Sequence, residues 1–180
     1  MGATTTLITV QEFFAMPEAE GIIQELIGSE VVSMPAGHIP HEVVKKNVIK
    51  GLVPWLAQNS PGEVFVEAMY QLDEHNVLIP DMGVLFPGRI SPGSTGCVQG
   101  APEIAIEVVS SEPAARLEEK IELYLAHGSK SVWVIYPRQR VVRIDDAAGG
   151  SKRFHGDQLL ADPNVLPGFS IPTSSIFQGL

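Results

Sequence analysis

The sequence predicts an α/β or α+β fold, and three observations carry that expectation. Apolar residues make up 44% of the 180 residues, enough for a substantial buried core. Apolar runs alternate with Gly- and Pro-bearing breaks along the whole chain, so the core is assembled from many short elements. Two strand-like runs, 103–110 and 131–136, flank an amphipathic helical pattern, which is the order of a crossover unit. The length suits one domain over residues 1–180 and is short for two.

Each element follows from local chemistry. Thr9 followed by Glu12 is a capping box, and it opens a short helix carrying Phe13 and Phe14 that Pro17 stops. Ile22, Ile23 and Leu26 around Glu25 are spaced for a second helix, which turns at Gly28 into an extended run from Glu30 to Met34. Val44, Val48, Leu52 and Trp55 share one face of a helix from about 41 to 58, with Pro54 expected to kink or end it. Strand candidates follow at 64–72, 77–86, 103–110 and 131–136, and 140–145 with 152–155 form a hairpin over Gly149 and Gly150. Leu117, Ile121, Tyr124 and Leu125 make the amphipathic helix between the third and fourth candidates, with Pro113 near its start and Gly128 past its end. Residues 87–101 are rich in Gly, Pro and Ser and read equally as a solvated connector or a substrate-contacting lid.

Charge and composition exclude several functions. A net charge of −9 gives no broad electrostatic grip on phosphate backbones, so any nucleic-acid chemistry must come from a local site. No apolar run approaches the roughly 20 residues that span a bilayer, the first residues lack a signal-peptide pattern, and Cys97 has no partner cysteine. A cytoplasmic location is expected. The glycines of 87–101 lack the Walker lysine and dinucleotide-binding spacing, and there is no Gly-x-Ser-x-Gly elbow. His38-x-x-His41 spans a Gly- and Pro-bearing turn without a neighbouring third ligand, which favours a structural role over a zinc site.

Three residues stand out chemically. Glu107 sits in a run whose two faces are otherwise largely apolar, where an ionised carboxylate is costly unless paired or bound to metal; a structural ion pair is the bland alternative. Asp81 follows Pro80, which implies a strand start, edge or bulge able to re-aim a side chain, although a turn role would explain it too. Two converging carboxylates with a backbone carbonyl and waters suit Mg²⁺ or Mn²⁺. Lys120, three residues after Leu117 and four before Tyr124, borders the apolar stripe of its helix and either reaches inward or covers apolar surface.

The order Ile79–Pro80–Asp81, Glu107–Val108–Val109–Ser110, Lys120-x-x-x-Tyr124, Gly128 and Trp133 resembles the Uma-type restriction-endonuclease-like family of the PD-(D/E)XK superfamily. The similarity extends upstream to Glu25–Leu26 and His41 and downstream to Leu166–Pro167–Gly168–Phe169. The resemblance implies a restriction-endonuclease-like mixed β-sheet core flanked by helices, with Asp81 and Glu107 as metal ligands. It places the lysine of the motif on the following helix, at Lys120, since Val109 occupies the position two after the second acid. It makes Glu25 a first-helix acid near the metal and His41 a supporting group at the same mouth. Two positions depart from the pattern: Arg116 stands where an acid is common, and Tyr136 replaces an aspartate before Pro137.

The implied activity is Mg²⁺- or Mn²⁺-dependent endonucleolytic hydrolysis of phosphodiester bonds in DNA. Cleavage of paired strands would match a homodimer, because a two-fold axis relates both the strands and the copies. Two rivals remain: a catalytically weak nuclease-fold binding or regulatory domain, and a metallohydrolase of small phosphate esters with a closed pocket in place of a groove.

Overall fold

Two β-sheets that exchange strands between them carry the architecture. The computed structural model describes residues 7–17, 22–35, 38–59, 62–89 and 96–180. Helix α1 (Val10–Ala15) opens with the expected Thr9–Glu12 capping box. It is followed by strands β1 (Ile22–Ile27) and β2 (Glu30–Pro35), helix α2 (Ile39–Asn59), and strands β3 (Glu63–Val66), β4 (Tyr70–Gln71), β5 (Val77–Leu78), β6 (Met82–Leu85) and β7 (Val98–Gln99). The second half holds β8 (Ile104–Val108), α3 (Ala114–Ala126), β9 (Ser131–Tyr136), β10 (Val141–Asp146), β11 (Ser151–His155), β12 (Leu159–Leu160), β13 (Ile171–Pro172) and α4 (Thr173–Ile176).

Among the described residues the larger sheet runs β11-β10-β9-β8-β6-β3, and the smaller runs β2-β1-β5-β4-β7. Both are mixed, because β8 pairs parallel with β9 and β4 pairs parallel with β7 while the other pairs are antiparallel. The parallel β8–β9 pair requires a crossover, which α3 supplies as the sequence predicts.

Strand β8 is central and buried along its whole length. Its alternation sends Ile104, Ile106 and Val108 toward α2 and Ala105 toward α3, since these residues belong to separate cores. Glu107 has the parity of Ala105 and meets α3. The α2 side is sealed by Val44, Val48, Leu52 and Leu56, a stripe at four-residue spacing and nearly inaccessible to solvent. Each such aliphatic contributes about 1.5–3 kcal/mol on burial. Pro54 sits on the exposed side of this helix, which continues to Asn59 instead of ending. The packed stripe outweighs the lost backbone bond.

Three sequence expectations are corrected. The 22–26 segment is a strand, not a helix: Gly28 and Ser29 both take positive φ (55° and 66°) and turn β1 back onto β2 in full register. The 64–72 and 77–86 runs are each broken in two. β3 and β6 pair in the larger sheet, β4 and β5 pair in the smaller one, and the antiparallel chains cross between sheets side by side at Glu67 and at Ile79–Pro80–Asp81. Glu67 takes φ 51° there and donates its N–H to the Asp81 carbonyl. A strand that switches sheets makes a corner, and Pro80 marks this one.

The described part of the 87–101 segment is tied down. Arg89 bridges to Glu103 at 3.1 Å and donates to the carbonyls of Gln99 and Ala101, and Cys97 is buried. Residues 90–95 lie outside the described residues.

Candidate active site

The corner where the sheets exchange strands is also where the acids meet. β1 of the smaller sheet contributes Glu25, the crossing after Pro80 contributes Asp81, central β8 contributes Glu107, and α3 contributes Lys120. A cavity of about 340 Å³ opens there, lined in part by His41, Asp81, Glu107 and Lys120 and also by Glu112 and Arg116. None of the described residues of 87–101 borders it, so the lid expectation finds no support in that part of the loop.

Lys120 is fully buried and reaches inward. Its Nζ lies 2.8 Å from Glu107 Oε1 and 3.1 Å from Glu25 Oε1. Tyr124, one turn further along α3, donates its hydroxyl to the same Glu107 oxygen at 2.8 Å. Spacing explains the convergence: Leu117, Lys120, Ile121 and Tyr124 form the buried face of α3, so the stripe that packs the helix also delivers the amine and the phenol. Glu25 Oε1 also accepts the Ile79 N–H at 2.7 Å, while Glu25 Oε2 is buried without a partner. Glu25 therefore joins the cluster from a strand, which corrects its expected place on a first helix.

Asp81 is held from two sides. Its Oδ2 accepts the Val108 N–H at 2.6 Å, and its Oδ1 lies 3.0 Å from His41 Nε2. His41 Nδ1 in turn lies 3.2 Å from Glu42 Oε1. Burial works against the imidazolium, but the Asp81 and Glu42 carboxylates outweigh it and raise the His41 pKa above its usual value. Lys45, also buried, ties Glu42 to Glu67 at 3.1 and 2.6 Å, so the first turn of α2 is locked onto the sheet corner.

Carboxyl groups outnumber the cations around this corner, and their crowding and burial oppose ionisation. Burial pushes the Glu107 carboxyl up to about 8, Lys120 pulls against that rise, and the Asp81 and Glu25 charges add to it. Burial raises Glu112 as well, and its Oε1 is another buried oxygen with no partner. Burial opposes the Lys120 ammonium, yet Glu107 and Glu25 hold its pKa above the ordinary lysine value. One lysine thus serves several carboxylates and does not neutralise them.

Hard oxygen donors crowded beyond their local countercharge suit a divalent cation. Among the described residues no group of three or more His, Cys, Asp or Glu is spaced to hold a metal alone. Asp81 and Glu107 are the residues that could hold an ion such as Mg²⁺, which keeps several waters and uses one or two carboxylates.

Of the residues expected from sequence, the structure gathers Glu25, Lys120 and Glu107 into one group and His41 and Asp81 into another, set side by side by the bond from the Val108 N–H, next to Glu107, to Asp81. Sequence reasoning missed Glu112, the Glu42–Lys45–Glu67 bracket and the polar part of Tyr124. The Lys-x-x-x-Tyr spacing carried the tyrosine signal, but a buried tyrosine at helical spacing reads first as core.

A family model described as "Uma2: Putative restriction endonuclease" matches residues 10–174. Among solved structures, one described as "a putative nuclease belonging to DUF820 from Anabaena variabilis ATCC 29413" aligns with a TM-score of 0.83 at 21% identity, over 94% of this chain and 97% of that one. That likeness establishes a shared fold. The search of curated proteins gave no match. Among the described residues no helix is long and apolar enough to cross a membrane.

Proposed function

The chain belongs to the Uma2 family of restriction-endonuclease-like proteins, and on that premise we propose that it is a divalent-metal-dependent endodeoxyribonuclease of the PD-(D/E)XK type. The observation that carries this reading is the meeting of Asp81, Glu107 and Lys120, from three separate elements, at one solvent-reaching cavity. A purely structural ion pair has no need of a cavity or of surplus carboxylates.

Asp81 and Glu107 would hold Mg²⁺ or Mn²⁺. Such an ion, when bound, acidifies water and polarises a phosphoryl oxygen. The chain's own residues prepare that chemistry. Val108 N–H and His41 fix the Asp81 carboxylate in one orientation, and Tyr124 with Lys120 fixes Glu107 through Oε1. Lys120 keeps its proton on Nζ and brings a fixed positive charge to the cavity wall, where negative charge grows on the phosphoryl group during attack. Glu25 holds Lys120 from behind. Double-strand cleavage would engage two copies about a two-fold axis, and a cytoplasmic homodimer of a single 1–180 domain belongs to the same reading.

The test is cleavage of supercoiled plasmid with Mg²⁺ or Mn²⁺. The expected result is metal-dependent nicking or linearisation that Asp81→Asn and Glu107→Gln abolish. Absence of cleavage with either ion, or wild-type rates in both variants, would overturn the proposal.

A further inference from the structure

An acidic chain that cuts a polyanion needs at least one cation placed to receive it. Of the described residues that line the cavity, only His41, Arg116 and Lys120 are cationic or able to become so. Lys120 is committed to Glu25 and Glu107 and is 1% exposed. His41 is committed to Asp81 and Glu42 and keeps only 10% of its side chain in solvent. Lys45 lies beside the corner but is buried between Glu42 and Glu67.

Arg116 differs in each respect. It sits four residues before Lys120, one turn up the same helix, and its side chain keeps 27% of its surface in solvent. Its partners are also exposed: Glu119 Oε2 at 2.8 Å, and Glu30 Oε2 at 3.9 Å with poor reach. Surface pairs of this kind are weak and readily exchanged. A guanidinium presents a planar fork that matches two oxygens of one phosphate.

We propose that Arg116 is the substrate-anchoring residue of this site, exchanging Glu119 for the phosphate of a nucleotide flanking the bond to be cut. The anchor deepens the nuclease reading and rests on it for the identity of the phosphate. Its position above Lys120 on α3 sets the strand's approach to the acids, so it fixes register without touching the reacting atoms. Glu119 then acts as a placeholder that keeps the guanidinium extended along the cavity rim.

The experiment measures duplex oligonucleotide binding with Ca²⁺ as the ion, over a series of salt concentrations, and steady-state cleavage with Mn²⁺. Arg116→Gln should weaken binding about tenfold or more, the ratio expected for one lost charge-assisted bond. It should reduce the salt slope by about 0.9, the value for one phosphate contact. The loss should fall on KM, with kcat changed less than about twofold, as for uniform binding. Arg116→Lys should restore the salt slope but only part of the affinity, and Glu119→Gln should tighten binding by releasing the guanidinium. Unchanged affinity and slope in Arg116→Gln, or a fall in kcat at constant KM, would overturn the anchor. If the wild type neither binds nor cleaves DNA, the nuclease reading fails by itself, and titration with inorganic phosphate followed by NMR judges the anion site. Shifts in α3 amides that vanish in Arg116→Gln support the site; equal shifts in both proteins, or none in either, overturn it.

Discussion

Replacing Lys120 with Met separates the structural and chemical roles of this residue. The substitution keeps most of the side-chain volume, so repacking should cost less than about 1.5 kcal/mol. It removes the ammonium that lies 2.8 and 3.1 Å from the carboxylates of Glu107 and Glu25, in a site where Lys120 is 1% exposed. Breaking a buried pair by deleting one partner costs about 3–5 kcal/mol, because the remaining charge is left without compensation. For a chain of this length that corresponds to a melting temperature lower by roughly 10 °C. The loss should depend on pH. Burial already pushes Glu107 up to about 8, and removing Lys120 removes the charge that restrains it. A carboxyl whose folded pKa is raised contributes stability that is present below its ordinary value of 4.5 and lost as pH rises through the folded value. The deficit of Lys120→Met should therefore be small near pH 5 and full near pH 9. Adding Glu25→Gln should recover part of it. Urea unfolding with a chelator present, at both pH values, measures these terms directly. A loss below about 1 kcal/mol at pH 9, or an equal loss at both pH values, would show that the lysine is not pairing buried charges and refute the reasoning. Activity is then read well below the lowered melting temperature, where the fully folded variant should cleave at least about a hundredfold more slowly than the wild type.

Other consequences are independent of that experiment. Calorimetric titration with Mn²⁺ should show binding to the wild type, and Asp81→Asn or Glu107→Gln should each remove it; unchanged heats would leave the carboxylate pair without a metal role. Gly83→Ala should destabilise the protein by about 1–3 kcal/mol, because an added Cβ would sit 2.8 Å from a ring carbon of Tyr70, which is fully buried and has no room to move. Tyr70→Phe, which takes away the nearest atom, should recover part of that loss in the double variant. Burial raises the Asp73 carboxyl, but the His75 N–H, Asn76 and the nearby His127 outweigh it and hold the pKa below the usual 3.8. Its contribution to stability is present above that value and lost as pH falls through the folded pKa, so Asp73→Asn should flatten the acid limb of the stability curve.

Much of this architecture is legible in residue spacing because the relevant forces are local. The capping box at Thr9, the buried stripe of α2 and the α3 face from Leu117 to Tyr124 each follow from side chains within one or two turns of one another. The helix expected at 22–26 failed for a reason equally local but more finely balanced. Ile22, Ile23 and Leu26 fit a helical period, and pairing of β1 with β2 across the turn at Gly28 and Ser29, and with β5 on its other edge, selects the extended form. Long strands at 64–72 and 77–86 were expected because hydrophobic pattern alone does not register a change of sheet. The signs were present in Pro80 and in the charged Glu67, yet either residue also suits an ordinary edge.

The sequence by itself determined the kinds of side chain available: two acids in strand-like settings, a lysine on an apolar helical face, a pair of histidines at the start of a long helix, and a net charge too negative for diffuse binding of a polyanion. Only tertiary structure decided that these residues meet. Glu25 and Glu107 stand on different sheets, 82 residues apart, and Asp81 reaches the Val108 N–H beside Glu107 from the point after Pro80 where the chain changes sheets. Coulomb and hydrogen-bond energies act over a few ångströms, so the charge balance of the cluster exists only once those strands are packed. The exposure of Arg116 was undecidable for the same reason. Whether a cation on a helix is spent on a buried acid or left free for substrate depends on which neighbours folding brings within reach.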